Sequence, residues 1–164
     1  MKKRILGIIG GSGLYNIDGL ENIKWKKVKT NWGEPSDRIL SATLNRQEIY
    51  FLPRHGRGHK VSPSSINFRA NIEALKKMGV TDIVSVSAVG SLQEYLRPGS
   101  FVIVDQFIDR TFERIKTFFD KDIVAHVSMA KPTSPALMRC CESALVKCKI
   151  PHQVGGTYLV MEGP

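Results

Sequence analysis

Residues 38–52 read RILSATLNRQEIYFL, and this stretch decides the fold class. Residues 38–44 and 48–52 are apolar-rich runs of strand length, and Asn45, Arg46 and Gln47 between them suit a hairpin connection. Strands joined so tightly pair antiparallel. Upstream, residues 5–9 form a short β-branched run that ends at glycine. Downstream, residues 82–88 (DIVSVSA) alternate apolar with small polar side chains, and residues 101–107 (FVIVDQF) are nearly continuously apolar, so both predict central strands. Residues 157–161 predict a last strand.

Two helices are expected between these strands. After Pro63, Ser64 and Ser65 can cap a helix in which Phe68, Ile72, Leu75 and Met78 share a stripe, with Gly79 just past its end. Ser134 followed by Pro135 predicts a second helix start, and Leu137, Cys141, Ala144 and Cys148 then share one face. Strand-length runs alternating with helical ones define an α/β domain, and the hairpin makes its sheet mixed. No internal repeat, low-complexity segment or linker occurs, so a single domain over residues 1–164 is expected. The chain ends at Met161, Glu162, Gly163 and Pro164, just after a strand and where a crossover helix would normally follow, so the expectation is a domain incomplete at its C-terminus.

Composition narrows the class without naming a function. With 42% hydrophobic and 24% charged residues, the 164-residue chain is neither a disordered tail nor a collagen-like repeat. The apolar part of the N-terminus is too short for a signal peptide and no apolar run reaches spanning length, so a cytoplasmic location without membrane contact is expected. Cys140, Cys141 and Cys148 are odd in number and lack metal-ligand spacing; they are expected as reduced, small core residues, Cys141 and Cys148 through the second helix. No metal site is expected. The formal charge of +9 suits a nucleic acid, an anionic surface or an anionic small substrate alike. Lys24 to Lys29 with Trp25 inside it can stack and clamp a single strand, but it reads better as a solvated strand face, because no nucleic-acid-binding signature accompanies it.

Three loops concentrate donors. Residues 7–13 (GIIGGSG) follow a strand and offer closely spaced backbone amides with the Ser12 hydroxyl, an arrangement able to cradle an anion. The spacing is neither a dinucleotide fingerprint nor a Walker loop. Residues 53–60 (PRHGRGHK) place Arg54, His55, Arg57, His59 and Lys60 among glycines directly after a strand; a guanidinium binds two phosphate oxygens at once. Residues 85–92 carry Ser85, Ser87 and Ala88 ahead of Gly90 and Ser91. Those hydroxyls can also bond neighbouring carbonyls. No paired-carboxylate site and no nucleophile elbow is present, so the donors point to an enzyme that binds its nucleophile instead of supplying it.

The ordered motifs GIIGGSGLY (7–15), RHGRGHKVSPSSINFRANI (54–72), SAVGSL (87–92), DQFIDRT (105–111), TFF (117–119), HVSMAKP (126–132) and GTYLVMEGP (156–164) resemble signatures of the 5′-methylthioadenosine phosphorylases, within the trimeric purine nucleoside phosphorylase family. The resemblance implies a three-layer, phosphorylase/hydrolase-like fold, with a twisted mixed central sheet flanked by helices. It implies phosphorolysis of 5′-methylthioadenosine to adenine and 5-methylthioribose 1-phosphate, in purine and methionine salvage. Ser12, Arg54, His55, Ser87 and Ala88 match the family's phosphate-binding positions, and Ser87 and Ala88 also face ribose. His126 resembles the residue lent across a subunit boundary to the neighbouring 5′-substituent pocket, which implies a homotrimer or hexamer. No cofactor is implied, inorganic phosphate being a co-substrate. The family's ribose-binding methionine, a further phosphate hydroxyl and the purine-protonating aspartate follow the MEGP motif and so fall beyond Pro164. Lys131 stands where the family has an acidic residue. Two alternatives stay open: a purine nucleoside or 5′-methylthioinosine phosphorylase, and an inactive fragment or basic nucleic-acid-binding module.

Overall fold

The computed structural model of the chain describes residues 3–14, 17–119 and 122–162, with Ser12 described by its backbone alone. These form two compact units, the first drawn from residues 1–88 and 115–118, the second from residues 89–114 and 119–164.

The first unit is built on a five-stranded sheet in the order β2-β3-β4-β1-β5. Its strands are β1 (Leu6–Gly10), β2 (Glu21–Lys26), β3 (Ile39–Leu44), β4 (Gln47–Pro53) and β5 (Asp82–Ser85). The hairpin forms as expected: β3 and β4 pair antiparallel with Leu44 opposite Gln47. Asn45 and Arg46 turn the chain with φ of 49° and 64°, the doubly left-handed backbone that a two-residue hairpin of matching twist requires. β1 lies parallel to β4 on one side and to β5 on the other. The mixed α/β sheet agrees with the expected fold class. Strand β5 is shorter than expected, ending at Ser85, and stands at the edge of this sheet, not at its centre.

Side chains alternate between the sheet's faces. Ile39, Tyr50 and Leu52 pack with Ala74 and Leu75, and Ile5, Ile9, Val80 and Ile83 close the cluster. Leu40, Ala42, Ile49 and Phe51 form the opposite cluster with Leu6, Ile8, Leu14 and Trp25. Two apolar faces explain why the strands read as nearly continuous apolar runs.

Helix α1 (Phe68–Lys77) connects β4 to β5, as a parallel crossover requires. Its cap is Asn67, whose side chain accepts from the Ala70 amide, while Pro63, Ser64 and Ser65 form a separate 3-10 turn. The helix ends at Met78, and Gly79 follows with φ of 82°, the left-handed residue expected there. The buried stripe is Ala70, Asn71, Ala74 and Leu75. Ile72, expected on that stripe, is exposed, because the face turned to the core runs through residues 70, 71, 74 and 75 and leaves position 72 outside it.

The second unit carries two short parallel sheets, β6 (Phe101–Ile103) with β8 (His152–Val154) and β7 (Gln106–Arg110) with β9 (Thr157–Met161). The stretch 101–107 is therefore two strands and not one. The break is covalently local but chemically distant: the Asp105 carboxylate accepts from the Gly156 amide, while Gly155 and Gly156 turn the opposing chain with φ of 86° and 143°. Helix α2 (Pro135–Lys147) starts as expected, Ser134 accepting from the Leu137 amide with Pro135 in the first turn. It buries no residue. Cys140 and Cys148 are exposed and Cys141 is half-buried, which corrects the expected core placement: the apolar face exists, but no layer covers it here.

Candidate functional site

The three donor-rich loops all leave the sheet from one end. β4, β1 and β5 are parallel neighbours, Gly10 lies opposite Pro53, and Ile9 lies opposite Ser85. The loops that begin at residues 11, 54 and 86 therefore start at the same level, at the carboxyl ends of three adjacent strands, where open α/β sheets collect ligands. Two further backbone bonds extend the ladders into the loops: the Arg54 amide donates to Gly10 O at 3.0 Å and the Val86 amide to Ile9 O at 2.9 Å.

Glycine allows close packing where β1 leaves the sheet. A Cβ on Gly10 would stand 2.1 Å from Leu14 Cδ1 and 3.4 Å from Val86 O, so the 3-10 turn Ser12–Leu14 folds directly over that position. Ser12 opens the turn; its side chain lies outside the described residues. Arg54 reaches across β1 from the second loop to the third, its guanidinium Nη1 donating to Ser87 Oγ. It also donates through Nε to His55 Nε2 at 3.2 Å, while His55 Nδ1 meets Val61 O at 3.0 Å. That pair of bonds assigns the ring proton to Nδ1. His59 stacks on His55 with ring centroids 5.2 Å apart.

Arg54 and His55 are half-buried, and Ser87 and Ala88 are exposed. Of the six expected residues, Arg54, His55 and Ser87 are linked by hydrogen bonds, Ala88 follows Ser87 in its loop, and the backbone of Ser12 opens the loop of the intervening strand. His126 belongs to the second unit and is exposed in an irregular stretch. Among the described residues, no group of three or more His, Cys, Asp or Glu is placed to hold a metal ion, and no helix is long and apolar enough to cross a membrane.

Asp37 is a residue the sequence reading missed. It lies ahead of β3 and accepts from the Arg57 amide at 2.7 Å and from Arg57 Nε and Nη2 at 2.9 and 3.0 Å. Burial opposes its charge, but the bonds from Arg57 and the Arg38 amide outweigh it, so the carboxyl titrates below its ordinary value. A shallow cleft of about 290 Å³ opens beside this pair, lined by Ser36, Asp37, Gly56, Arg57 and Lys60. Of its two cations, Arg57 is paired with Asp37 and Lys60 is exposed. No motif announces Asp37; its partner lies 20 positions away.

The rim of the three loops sets a guanidinium and a hydroxyl side by side at the ends of parallel strands of an α/β sheet, and donors of that kind are suited to oxyanions. The chain belongs to the phosphorylase superfamily, whose family model matches residues 5–164. It is 60% identical over 99% of its length to the S-methyl-5′-thioadenosine phosphorylase of Rhodospirillum rubrum, covering 55% of that protein. It is 48% identical to the enzyme of the same name from Thermofilum pendens, covering 63% of it. Among solved structures, a methylthioadenosine phosphorylase from an antarctic soil metagenomic library is 49% identical with a TM-score of 0.87, over 97% of this chain and 56% of that one. The Schistosoma mansoni methylthioadenosine phosphorylase in complex with adenine is 34% identical with a TM-score of 0.90, over 99% of this chain and 66% of that one. The chain spans 55% to 66% of the length of these relatives.

Proposed function

We propose that the chain is the phosphate-binding part of an S-methyl-5′-thioadenosine phosphorylase, a pentosyltransferase that cleaves its nucleoside with inorganic phosphate to give adenine and 5-methylthioribose 1-phosphate. One observation carries the reading: the Arg54 guanidinium and the Ser87 hydroxyl meet across β1, whose own carboxyl end leads into the Ser12 turn. Phosphate is held by Arg54, His55, Ser87, Ala88 and Ser12; ribose lies against Ser87 and Ala88, and His126 serves the 5′-substituent pocket of a neighbouring subunit in a trimer or hexamer. No cofactor takes part. The names of the relatives support the substrate, and their greater length leaves room for the groups that bind and protonate the purine. The cytoplasm and a role in purine and methionine salvage suit this chemistry.

Cleaving the N-glycosidic bond builds positive charge on the ribosyl ring, so a phosphate dianion against the anomeric carbon stabilises the transition state while acting as nucleophile. Placement outweighs any single contact. Holding phosphate and nucleoside together supplies roughly 7 to 11 kcal/mol, whereas one charged hydrogen bond is worth roughly 1.5 to 3 kcal/mol. A nucleic-acid module is disfavoured by Trp25, whose ring lies under the Arg57 guanidinium at 4.0 Å and so offers no open stacking face there.

The test is adenine release from S-methyl-5′-thioadenosine by the protein that carries this chain. The reading expects strict phosphate dependence. Arg54→Ala raises the phosphate requirement at least tenfold, about 1.4 kcal/mol or more, and Ser12→Ala raises it less. Phosphate dependence unchanged in both variants overturns the assignment, and faster release of hypoxanthine than of adenine from the matched nucleosides moves it to a 6-oxopurine enzyme.

A further inference from the structure

The loop that carries Arg54 and His55 is held from behind. After β4 the chain turns at Gly56 with φ of 67°, and a Cβ there would stand 2.9 Å from Ser36 O, so the loop backbone lies directly against residues 36 and 37. Ser36 is fixed in turn by helix α1. Its amide donates to Asn71 Oδ1 at 2.8 Å, and Asn71 Nδ2 donates to Ser36 Oγ at 2.9 Å. Asn71 is 3% exposed, so these bonds form away from water. Asp37 completes the attachment with its three bonds to Arg57, one to the backbone and two to the guanidinium. Trp25 supports the other side of that guanidinium.

We infer that Asp37 and Arg57 form a positioning pair for phosphate: they hold residues 54–57 so that the Arg54 guanidinium stays beside Ser87, and neither touches the anion. The inference rests on the phosphate reading of the rim. The charge arrangement favours positioning over direct binding, because Asp37 pairs with the Nε–Nη2 edge of the Arg57 guanidinium and offsets its charge, while its bond to the Arg57 amide ties the same carboxylate to the loop backbone. A bidentate fork also fixes direction as well as distance, which a lysine cannot reproduce. Losing the pair frees the loop, and apparent affinity then falls by the fraction of time that the loop spends in its binding geometry.

The experiment titrates inorganic phosphate into the purified protein that carries this chain by phosphorus NMR and follows amide hydrogen exchange across residues 54–61, for the wild type, Asp37→Asn, Asp37→Glu and Arg57→Lys. Asp37→Asn is expected to weaken phosphate binding about tenfold and to raise exchange in the loop about tenfold, as for a loop competent roughly a tenth of the time. Exchange in β3 and β4 stays unchanged, Asp37→Glu recovers most of the affinity, and Arg57→Lys falls between. Phosphate affinity unchanged in Asp37→Asn overturns the inference while leaving the phosphate reading intact. Exchange that rises across the whole sheet, with no recovery in Asp37→Glu, assigns the pair a structural role and overturns it too. A wild type that binds no phosphate overturns the reading of the rim, and the positioning role falls with it.

Discussion

The two units of the chain are made from similar sequence and packed to different ends. In the first, Ile39, Leu40, Phe51, Leu52 and Leu75 are all at most 2% exposed. In the second, among the described residues, only Thr111 is buried, while Phe107, Ile108, Val154 and Leu159 lie open. Strand propensity is similar in both. What differs is the number of partners: five strands and a crossover helix share the first core, whereas the second has strands paired only two by two. A two-stranded sheet buries too little surface to stand on its own. Apolar content therefore tells which side chains favour burial, and the number of packed layers tells which of them achieve it. Besides its strand pairings the second unit has polar attachments, such as the Glu162 carboxylate, which accepts from the Phe112 and Glu113 amides at 2.8 and 3.0 Å and pairs with Arg114.

The largest effect that would break this contrast is a core truncation. Leu75→Ala empties a site surrounded by Ile39, Tyr50 and Leu52, and is expected to lower the stability of the first unit by about 2 to 5 kcal/mol. Both tryptophans, Trp25 and Trp32, belong to that unit, so its urea midpoint is read directly from their fluorescence. Leu159→Ala, the same deletion at a position 39% exposed in β9, is expected to move that midpoint by less than about 0.5 kcal/mol. Equal shifts for the two variants would show that the units share one core.

A smaller effect concerns the site. Gly56 needs its left-handed backbone and its closeness to Ser36 O at once. Gly56→Ala is expected to cost about 1 to 3 kcal/mol of stability and to weaken phosphate binding together with it. A phosphate titration beside a urea curve checks both. Gly58→Ala makes a useful contrast: its φ of 80° is equally left-handed, but the nearest neighbour of its Cβ is the flexible Lys60 side chain at 3.6 Å. The difference between the two variants measures the contact with Ser36 apart from the backbone term.

How much of this was legible in the sequence follows from the range of each interaction. The hairpin at 38–52 was legible because its turn and both strands are adjacent in the chain. The donor-rich rim was legible residue by residue, since each loop follows a strand of its own. The insertion of β1 between β4 and β5, which sets those loops side by side, is a long-range pairing that periodicity does not encode. The break at Asp105 was hidden because its partner, Gly156, lies 51 positions away. The cysteines were misplaced for another reason: the face with Leu137, Cys141 and Ala144 was read correctly as apolar, but periodicity says nothing of what covers a face. Asp37 was missed because a lone acid before a strand has no pattern to recognise.

The smallest expected effect isolates the first unit by its alkaline titration. Tyr50 is 3% exposed and its hydroxyl donates to Glu48 Oε1 at 2.6 Å. Burial first, and then the Glu48 carboxylate, push the phenol up to about 12. The same bond holds the Glu48 carboxyl below its ordinary value. A phenol whose folded pKa exceeds the unfolded value of about 10 binds its proton more tightly in the native state. Its contribution to stability is therefore complete below about pH 10 and is lost as the pH rises through about 12. Urea midpoints read by tryptophan fluorescence should fall between pH 9 and pH 11.5 in the wild type, and fall less steeply in Tyr50→Phe. The difference absorbance of tyrosinate between the two proteins should develop near pH 12, not near pH 10. A Tyr50 signal that rises at pH 10 would mean that water reaches the phenol, and that the face of the sheet under α1 is less closed than the packing of Leu52 and Leu75 indicates.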